Sequence, residues 1–140
     1  MHGSDPFDPR VVLAGWRQPV IYLNHDCTAW TEVDWEDYAY LVQWSWSVHY
    51  DQRGKAYVRR LHYRAPVYLH RVVLARKERQ PDPERCYADH INGDGLDNRR
   101  HNLRWASASE NATNIVRYGG FQAHVVRRQH EFGRNKWATG

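Results

Sequence analysis

The chain has 140 residues, of which 41% are hydrophobic and 26% are charged, and its formal net charge is +4. This length allows one domain, and seven tryptophans and nine tyrosines are enough for a modest core. No apolar run reaches membrane-spanning length, the N-terminus lacks the apolar stretch of a signal peptide, and two cysteines do not make a disulfide framework. These features exclude membrane-spanning and disulfide-rich secreted classes and predict a cytoplasmic protein.

The predicted elements before residue 80 are two short strands, a helix, an antiparallel hairpin, a third short strand and a second helix. Runs of alternating apolar and polar residues indicate the strands, and apolar residues at helical spacing indicate the first helix. Asp34 is the predicted N-cap of that helix. In chain order the predictions cover residues 20–24 and 28–33, the helix that follows Asp34, and residues 44–48, 56–63, 67–69 and 71–77.

The second half of the chain contains a polar stretch, DHINGDGLDNRRHN, between two strand-like runs at residues 85–88 and 103–106. Because long structureless loops are uncommon in compact domains, these runs are predicted to form a hairpin closed by this loop. Ser107 and Glu110 have the spacing of a capping box, which predicts a helix with Asn111 in its first turn. The order strand, loop, strand, helix brings the end of the first strand close to Asn111.

Three polar side chains therefore converge, because Asp89 and His90 lie at that strand end. Oxygen ligands from Asp89 and Asn111 suit one Mg²⁺ or Mn²⁺ ion and leave the imidazole of His90 free. A free imidazole can accept a proton from water near neutral pH. This combination of an ion and a base suits hydrolysis of a phosphodiester, and it predicts a metal-dependent nuclease.

The same residues resemble the HNH endonucleases, in particular the phage and intron-encoded, homing-type branch with the ββα-metal fold. The resemblance implies an α+β protein with small antiparallel hairpins and short helices around the HNH motif, acting on DNA in a bacterial host cell. It implies that His90 is the general base, that Asp89 and Asn111 are metal ligands, and that Asn102 braces the hairpin and orients His90. The matching blocks are Asp89-His90-Ile91-Asn92-Gly93, Leu96-Asp97-Asn98-Arg99, Asn102-Leu103-Arg104 and Ser109-Glu110-Asn111.

The resemblance covers roughly residues 20–116 and includes residues 67–74, which precede the motif in the chain. Residues 120–137 are similar to the opening strands of a small sheet-plus-helix DNA-binding module, which is truncated here. The predicted organisation is an N-terminal extension (1–19), an α+β region with a basic surface (20–80), the HNH motif (81–116) and a basic tail (117–140).

Charge is distributed unevenly along the chain. Residues 31–52 contain five acids and no Lys or Arg, whereas residues 53–80 contain nine basic residues and one acid. This asymmetry predicts two faces of opposite sign, and a basic face beside a phosphodiester site is a candidate DNA footprint. The predicted DNA contacts are Arg59, Arg60, Arg64, His70 and Arg71, then Arg99, Arg100 and Arg104 near the scissile bond, and Arg127, Arg128 and Lys136 in the tail.

Other kinds of site fit these residues less well. An EF-hand is disfavoured because Ile91 or Leu103 would occupy ligand positions. Zinc is disfavoured because Cys86 and His90 have no second pair at suitable spacing, and His25 with Cys27 is isolated. His70 is either a structural residue or a phosphate contact, and His101 is predicted to lie on the surface.

The sequence allows two classes of function. The first is a DNA nuclease that nicks one strand per active site, as a monomer or a homodimer. The second is a DNA-binding or regulatory module that keeps the fold without turnover.

Overall fold

The computed structural model describes residues 18–117, which form three small antiparallel sheets and three α-helices. This confirms the expected α+β class. No helix among these residues is both long and apolar enough to cross a membrane. The elements are β1 (Val20–Tyr22), β2 (Trp30–Glu32), α1 (Trp35–Leu41), β3 (Ser47–Tyr50), β4 (Ala56–His62), β5 (Ala65–Tyr68), α2 (Leu69–Lys77), β6 (Tyr87–His90), a 3-10 turn (Arg100–Asn102), β7 (Leu103–Ala106) and α3 (Ala108–Arg117).

Most predicted elements are present, and their ends differ by a few residues. The strand predicted at 44–48 begins at Ser47 instead, because the indole of Trp46 is buried and donates a hydrogen bond to the Leu41 carbonyl at the end of α1. The capping box is confirmed: the Ser107 amide donates to Glu110 Oε1 at 2.9 Å, and the Glu110 amide donates to Ser107 Oγ at 3.1 Å. Local signals of this kind determine where helices begin.

The sheet β3-β4-β5 separates two environments because alternate residues of a strand point to opposite faces. Tyr57 and Arg59 share the face that contacts the imidazoles of the candidate site, and the Tyr57 ring lies 6.2 Å from that of His90. Val58 and Arg60 share the other face. There the Arg60 guanidinium lies 4.4 Å from the centre of the Trp44 ring. The predicted DNA contacts Arg59 and Arg60 therefore face different surfaces.

One hydrophobic core joins the two halves of the described chain. Buried residues from the N-terminal region, such as Leu41 and Leu69, belong to the same cluster as Leu96 and Leu103 of the polar loop and the strand after it. Helix α2 packs on β4 and β5 and also on β6 and β7. The regions predicted as 20–80 and 81–116 thus contribute to the same hydrophobic core.

The loop at residues 91–99 lies directly against β2 and β4. The backbone amide of Glu32 donates to the Leu96 carbonyl, and the Asn98 amide donates to the Glu32 carbonyl. Gly95 is required for this approach, since a Cβ at this position would lie 1.8 Å from the carbonyl oxygen of Ala56. The loop that follows His90 is therefore held rigidly by strands that precede it by many residues.

Helix α1 is fixed by ion pairs that the sequence did not predict. It begins after Asp34, as predicted, but the Asp34 carboxylate makes no cap hydrogen bond and accepts from the backbone amide of Arg100 at 2.6 Å. The fully buried Asp37 carboxylate accepts from Arg100 at 2.8 and 2.9 Å and from Arg76 at 2.9 Å. The acidic and basic stretches therefore pair with each other here, and the prediction of two faces of opposite sign is wrong for these residues.

Candidate active site

Strand β6 ends in Asp89 and His90, and both side chains are buried. As consecutive strand residues they point to opposite faces of the β6-β7 hairpin. Asp89 meets β7 and α3, whereas the ring of His90 meets the loop at 91–99, Tyr57 and His70. The strand end thus places a carboxylate and an imidazole in separate but adjacent surroundings.

The imidazole of His90 is held by a chain of buried hydrogen bonds. Its Nε2 lies 2.8 Å from Asn98 Oδ1. The Asn98 amide nitrogen donates to Thr31 Oγ1 at 2.8 Å, and the Thr31 hydroxyl donates to the Leu96 carbonyl at 2.7 Å. The Asn98 amide nitrogen also donates to the Gly95 carbonyl at 3.2 Å. Because this nitrogen makes both donations, the side-chain oxygen of Asn98 must accept, and Nε2 of His90 must carry the hydrogen.

The consequence is a defined tautomer in which Nδ1 of neutral His90 has the free lone pair. Nδ1 is buried and has no hydrogen-bond partner within residues 18–117. Burial, together with the positive charge of Lys55, lowers the pKa of His90 to about 3. At neutral pH the imidazole is therefore unprotonated, which is the form that a general base requires.

Asp89 is held from two sides. Its Oδ2 accepts from Arg104 Nε at 2.9 Å across the hairpin, and its Oδ1 accepts from Asn114 Nδ2 at 3.1 Å. Asn114 also donates to the backbone carbonyl of His90. Each carboxylate oxygen keeps a second lone pair beyond these bonds. Sequence reasoning missed Asn114, although its position three residues after Asn111 places both amides on one face of α3.

Asn111 lies in the first turn of α3, half-buried, and lines a cleft of about 310 Å³. Its side chain makes no hydrogen bond to the described part of the chain, whereas its backbone amide makes the helical bond to the Ser107 carbonyl. Among residues 18–117 there is no cluster of three or more His, Cys, Asp or Glu side chains that could hold a metal. The available donors are the carboxylate oxygens of Asp89 and the amide oxygen of Asn111, and such a donor set fits Mg²⁺ or Mn²⁺.

The side chain of Asn102 bonds to Asn92 and Asp97 of the loop, whereas the prediction was that it orients His90. Its amide donates to Asn92 Oδ1 and to the Asp97 carbonyl, both at 2.9 Å, and its Oδ1 accepts from the Asn92 backbone amide at 2.9 Å. These bonds brace the loop, as expected. The imidazole of His90 is oriented by Asn98 rather than by Asn102, and this corrects the predicted orienting role.

The three arginines predicted near the scissile bond all have carboxylate partners. Arg99 pairs with Asp97 at 2.7 and 2.8 Å, and Arg104 pairs with Asp89. Arg100 is tied to Asp37 and Glu36 of α1. The structure therefore gives Arg100 a structural role, because its guanidinium compensates a buried charge, and we do not retain it as a phosphate contact.

The cleft is bounded mainly by residues of β5, α2 and the start of β6. His70 is buried, with its ring 4.7 Å from that of His90 and 5.5 Å from that of Tyr57. Burial, reinforced by the neighbouring His90 and by the positive charge of Lys55, holds the pKa of His70 well below its usual value. Arg71 lines the same cleft and is exposed. Of the sequence-predicted DNA residues, Arg71 and Arg59 remain on the cleft side, Arg64 lies at the tip of the β4-β5 hairpin, and Arg127, Arg128 and Lys136 fall outside the described residues.

The part of the chain that contains Asp89, His90 and Asn111 is similar to known proteins. Residues 67–113 match the family described as HNH endonuclease. This segment is similar to HNH endonucleases. An uncharacterised HNH endonuclease, L247, of Acanthamoeba polyphaga mimivirus is 47% identical over 49 residues, which are 34% of this chain and 12% of that protein. The match thus spans a small part of that relative's length. No solved structure matched the chain. The HNH segment contains Asp89, His90, Asn102 and Asn111, whereas Thr31 lies outside it.

Proposed function

We propose that this protein is a metal-dependent DNA endonuclease that hydrolyses a phosphodiester bond and nicks one strand per active site. The observation that carries the proposal is the bonding of His90: one ring nitrogen is fixed by Asn98, and the other, Nδ1, has no partner within the described residues. A buried polar atom is normally hydrogen-bonded. An unpartnered basic nitrogen suits acceptance of a proton from water.

Asp89 and Asn111 are the residues that would hold the cation. When bound there, Mg²⁺ or Mn²⁺ would polarise a phosphoryl oxygen and offset the charge of the phosphate. Asn114 and Arg104 keep the Asp89 carboxylate in place from the side of α3 and β7. These two bonds support the proposal that Asp89 would hold a hard cation.

His90 acts as the base through Nδ1, and Asn98 supports the change in charge. When Nδ1 takes the proton, the ring becomes an imidazolium, and the Nε2–H bond to Asn98 Oδ1 becomes a charge-assisted hydrogen bond. A phosphate that enters the cleft adds negative charge near the ring and therefore raises the pKa of His90 from its value in the free protein. Substrate binding and base strength are coupled in this arrangement.

The test is nicking of a supercoiled plasmid with Mg²⁺, with Mn²⁺ and with a chelator, using His90→Ala and the matched control His101→Ala. His101 is exposed, so its replacement leaves the rate unchanged. His90→Ala lowers the rate about 10² to 10⁴-fold, with DNA binding in chelator preserved, since a general base contributes rate and little affinity. Nicking by His90→Ala at the normal rate would show that the base assignment is wrong.

The hydrogen-bond chain from Thr31 has its own test. Thr31→Val removes the acceptor of the Asn98 amide at nearly constant volume, whereas Thr31→Ser keeps it. We expect Thr31→Val to nick about tenfold more slowly with unchanged DNA affinity, and Thr31→Ser to match the wild type, a tenfold rate change corresponding to about 1.4 kcal/mol. The ¹⁵N chemical shifts of the His90 ring report the tautomer directly. An unchanged tautomer in Thr31→Val would remove Thr31 from this role.

A second candidate, DNA binding without turnover, is favoured by a separate observation. His90 is fully buried, and both oxygens of Asp89 already accept hydrogen bonds. The same plasmid assay separates the two candidates, because a module without turnover binds DNA and leaves the plasmid supercoiled with every divalent cation.

A further inference from the structure

The β4-β5 hairpin ends in an exposed aromatic tip. Its turn consists of two residues, Tyr63 and Arg64, closed by the pair His62 and Ala65. Tyr63 is 92% exposed, and Leu61 on the adjoining strand is 59% exposed. The only ring contact of Tyr63 among the described residues is with His62, at 4.5 Å and nearly perpendicular. The tip therefore presents a large ring to solvent.

The backbone of this turn is strained for the residues it contains. Tyr63 has φ of 48° and Arg64 has φ of 71°, so both lie in the left-handed region. Two-residue hairpin turns with two positive φ values strongly prefer Asn-Gly, Asp-Gly or Gly-Gly, because a bulky side chain is disfavoured there. Tyr63 gains no burial that would offset this cost. Strain at an exposed site of this kind indicates a role in contacting a ligand.

The charge around the tip favours a polyanion. Residues 53–77 contain no Asp or Glu. Arg64 lies in the turn itself, and Arg59 lies on the same strand face as Tyr57 and Leu61. Arginines beside an exposed aromatic ring are the combination that binds a phosphate backbone and stacks on a base.

The number of residues between the candidate active site and the tip gives the distance between them, and this distance can be expressed as a number of base pairs of DNA. The ring of Tyr57 lies 6.2 Å from that of His90, and Tyr63 follows six residues later, just beyond the end of β4. At about 3.3 Å per residue, the tip lies roughly 20 Å from the site. One strand of duplex DNA rises about 3.4 Å per nucleotide, so this distance corresponds to roughly six base pairs.

We propose that Tyr63, at the tip of the β4-β5 hairpin, stacks on a base of the duplex DNA substrate roughly six base pairs from the scissile phosphate, with Arg64 on the adjacent backbone. This inference rests on the proposed function for the identity of its ligand. It identifies an interaction surface outside the catalytic residues, and it gives the exposed ring a role in locating the cleavage site. A stacked side chain that opens a base step also bends the duplex.

The experiment compares Tyr63→Gly, Tyr63→Phe and the control Tyr50→Ala, which alters another exposed tyrosine of the same sheet. DNA affinity is measured in chelator by anisotropy, and folding stability by thermal unfolding. Tyr63→Gly weakens binding about tenfold or more. It also raises the melting temperature, because glycine adopts positive φ without steric cost. Tyr63→Phe and Tyr50→Ala bind like the wild type.

A duplex containing 2-aminopurine, whose fluorescence rises when it is unstacked, reports the position of the contact. The wild type raises the fluorescence of a probe roughly six base pairs from the mapped nick, and Tyr63→Gly does not. Unchanged affinity of Tyr63→Gly, or fluorescence that responds equally in both proteins, would overturn the proposal. Failure of the wild type to nick plasmid would instead count against the endonuclease proposal alone, because affinity in chelator is measured without cleavage.

Discussion

Two buried aspartates of this protein have similar partners and different surroundings. Asp37 is fully buried and is enclosed by the guanidinium groups of Arg76 and Arg100. Asp89 is 2% exposed and has one arginine, Arg104, and one amide, that of Asn114. Two arginines compensate the charge of Asp37. Asp89 keeps a lone pair on each oxygen, and its partner Asn114 lies three residues after Asn111 in the same helix.

The difference shows that burial of a carboxylate does not by itself mark a functional site. The charge of Asp37 is compensated by hydrogen bonds from two cations, which leaves no room for another. The charge of Asp89 is compensated in part by Arg104, whose side chain is 39% exposed and free to turn toward solvent. The proposed divalent cation would therefore bind the remaining lone pairs of Asp89 while Arg104 turns toward solvent, whereas the two arginines at Asp37 already compensate its charge.

The largest expected effect comes from removing either charge. Asp37→Asn leaves two arginines facing a neutral amide, and we expect the free energy of unfolding to fall by on the order of 3 kcal/mol. Asp89→Asn destabilises less because Arg104 can reach water, but it abolishes metal-dependent nicking. Urea unfolding of both variants, with nicking measured well below their melting temperatures, checks this prediction.

The contrast between the two aspartates would be wrong if Asp37→Asn lost nicking or if Asp89→Asn kept it. A folded Asp37→Asn protein that no longer nicks would mean that the ion pairs at α1 reach the active site. An Asp89→Asn protein that nicks normally would remove Asp89 from the metal site.

The second-largest expected effect concerns Asn111. It is the second proposed metal ligand beside Asp89, and Asp37 has no such partner in the proposal. Asn111→Ala should raise the Mg²⁺ concentration for half-maximal nicking about tenfold, a loss of about 1.4 kcal/mol, with the rate partly recovered by excess metal. Asn111→His should stay active and shift the preference toward softer ions, because imidazole suits transition metals better than Mg²⁺. Thr113→Ala, an exposed change on the same helix, is the control.

Titration of nicking with Mg²⁺ and Mn²⁺, alongside thermal unfolding, separates a ligand from a structural residue. If Asn111→Ala lowers the melting temperature and leaves the metal dependence unchanged, then Asn111 only stabilises the first turn of α3.

The smallest effect extends the comparison to neighbouring arginines of β4. Arg59→Gln should reduce the slope of DNA affinity against salt by about one, because one phosphate contact is lost. Arg60→Gln should leave the slope unchanged and cost about 0.5 to 1 kcal/mol of stability, since its guanidinium lies over Trp44. Binding measured over a range of salt concentrations distinguishes them, and a reduced slope in Arg60→Gln alone would place the DNA on the opposite face of the sheet.

The amino-acid sequence by itself determined the local parts of this protein. The spacing of Ser107 and Glu110 predicted the start of α3, and the alternation around residues 56–63 predicted β4. The position of Asp89 and His90 at a strand end also followed from local pattern. Local features of this kind are predictable because they depend on hydrogen bonds and side-chain directions between residues close in the chain.

Only the tertiary structure decided which distant groups each polar side chain meets. Thr31 accepts a hydrogen bond from Asn98 across 67 residues, and Arg100 pairs with Asp37 across 63. The sequence placed Arg100 beside the scissile bond, because the basic residue type alone does not reveal its partner. A buried polar group must be satisfied by whatever the fold brings near it. The packing of β2 and α1 against residues 81–116 therefore decided which nitrogen of His90 keeps a free lone pair and which arginines are paired with carboxylates.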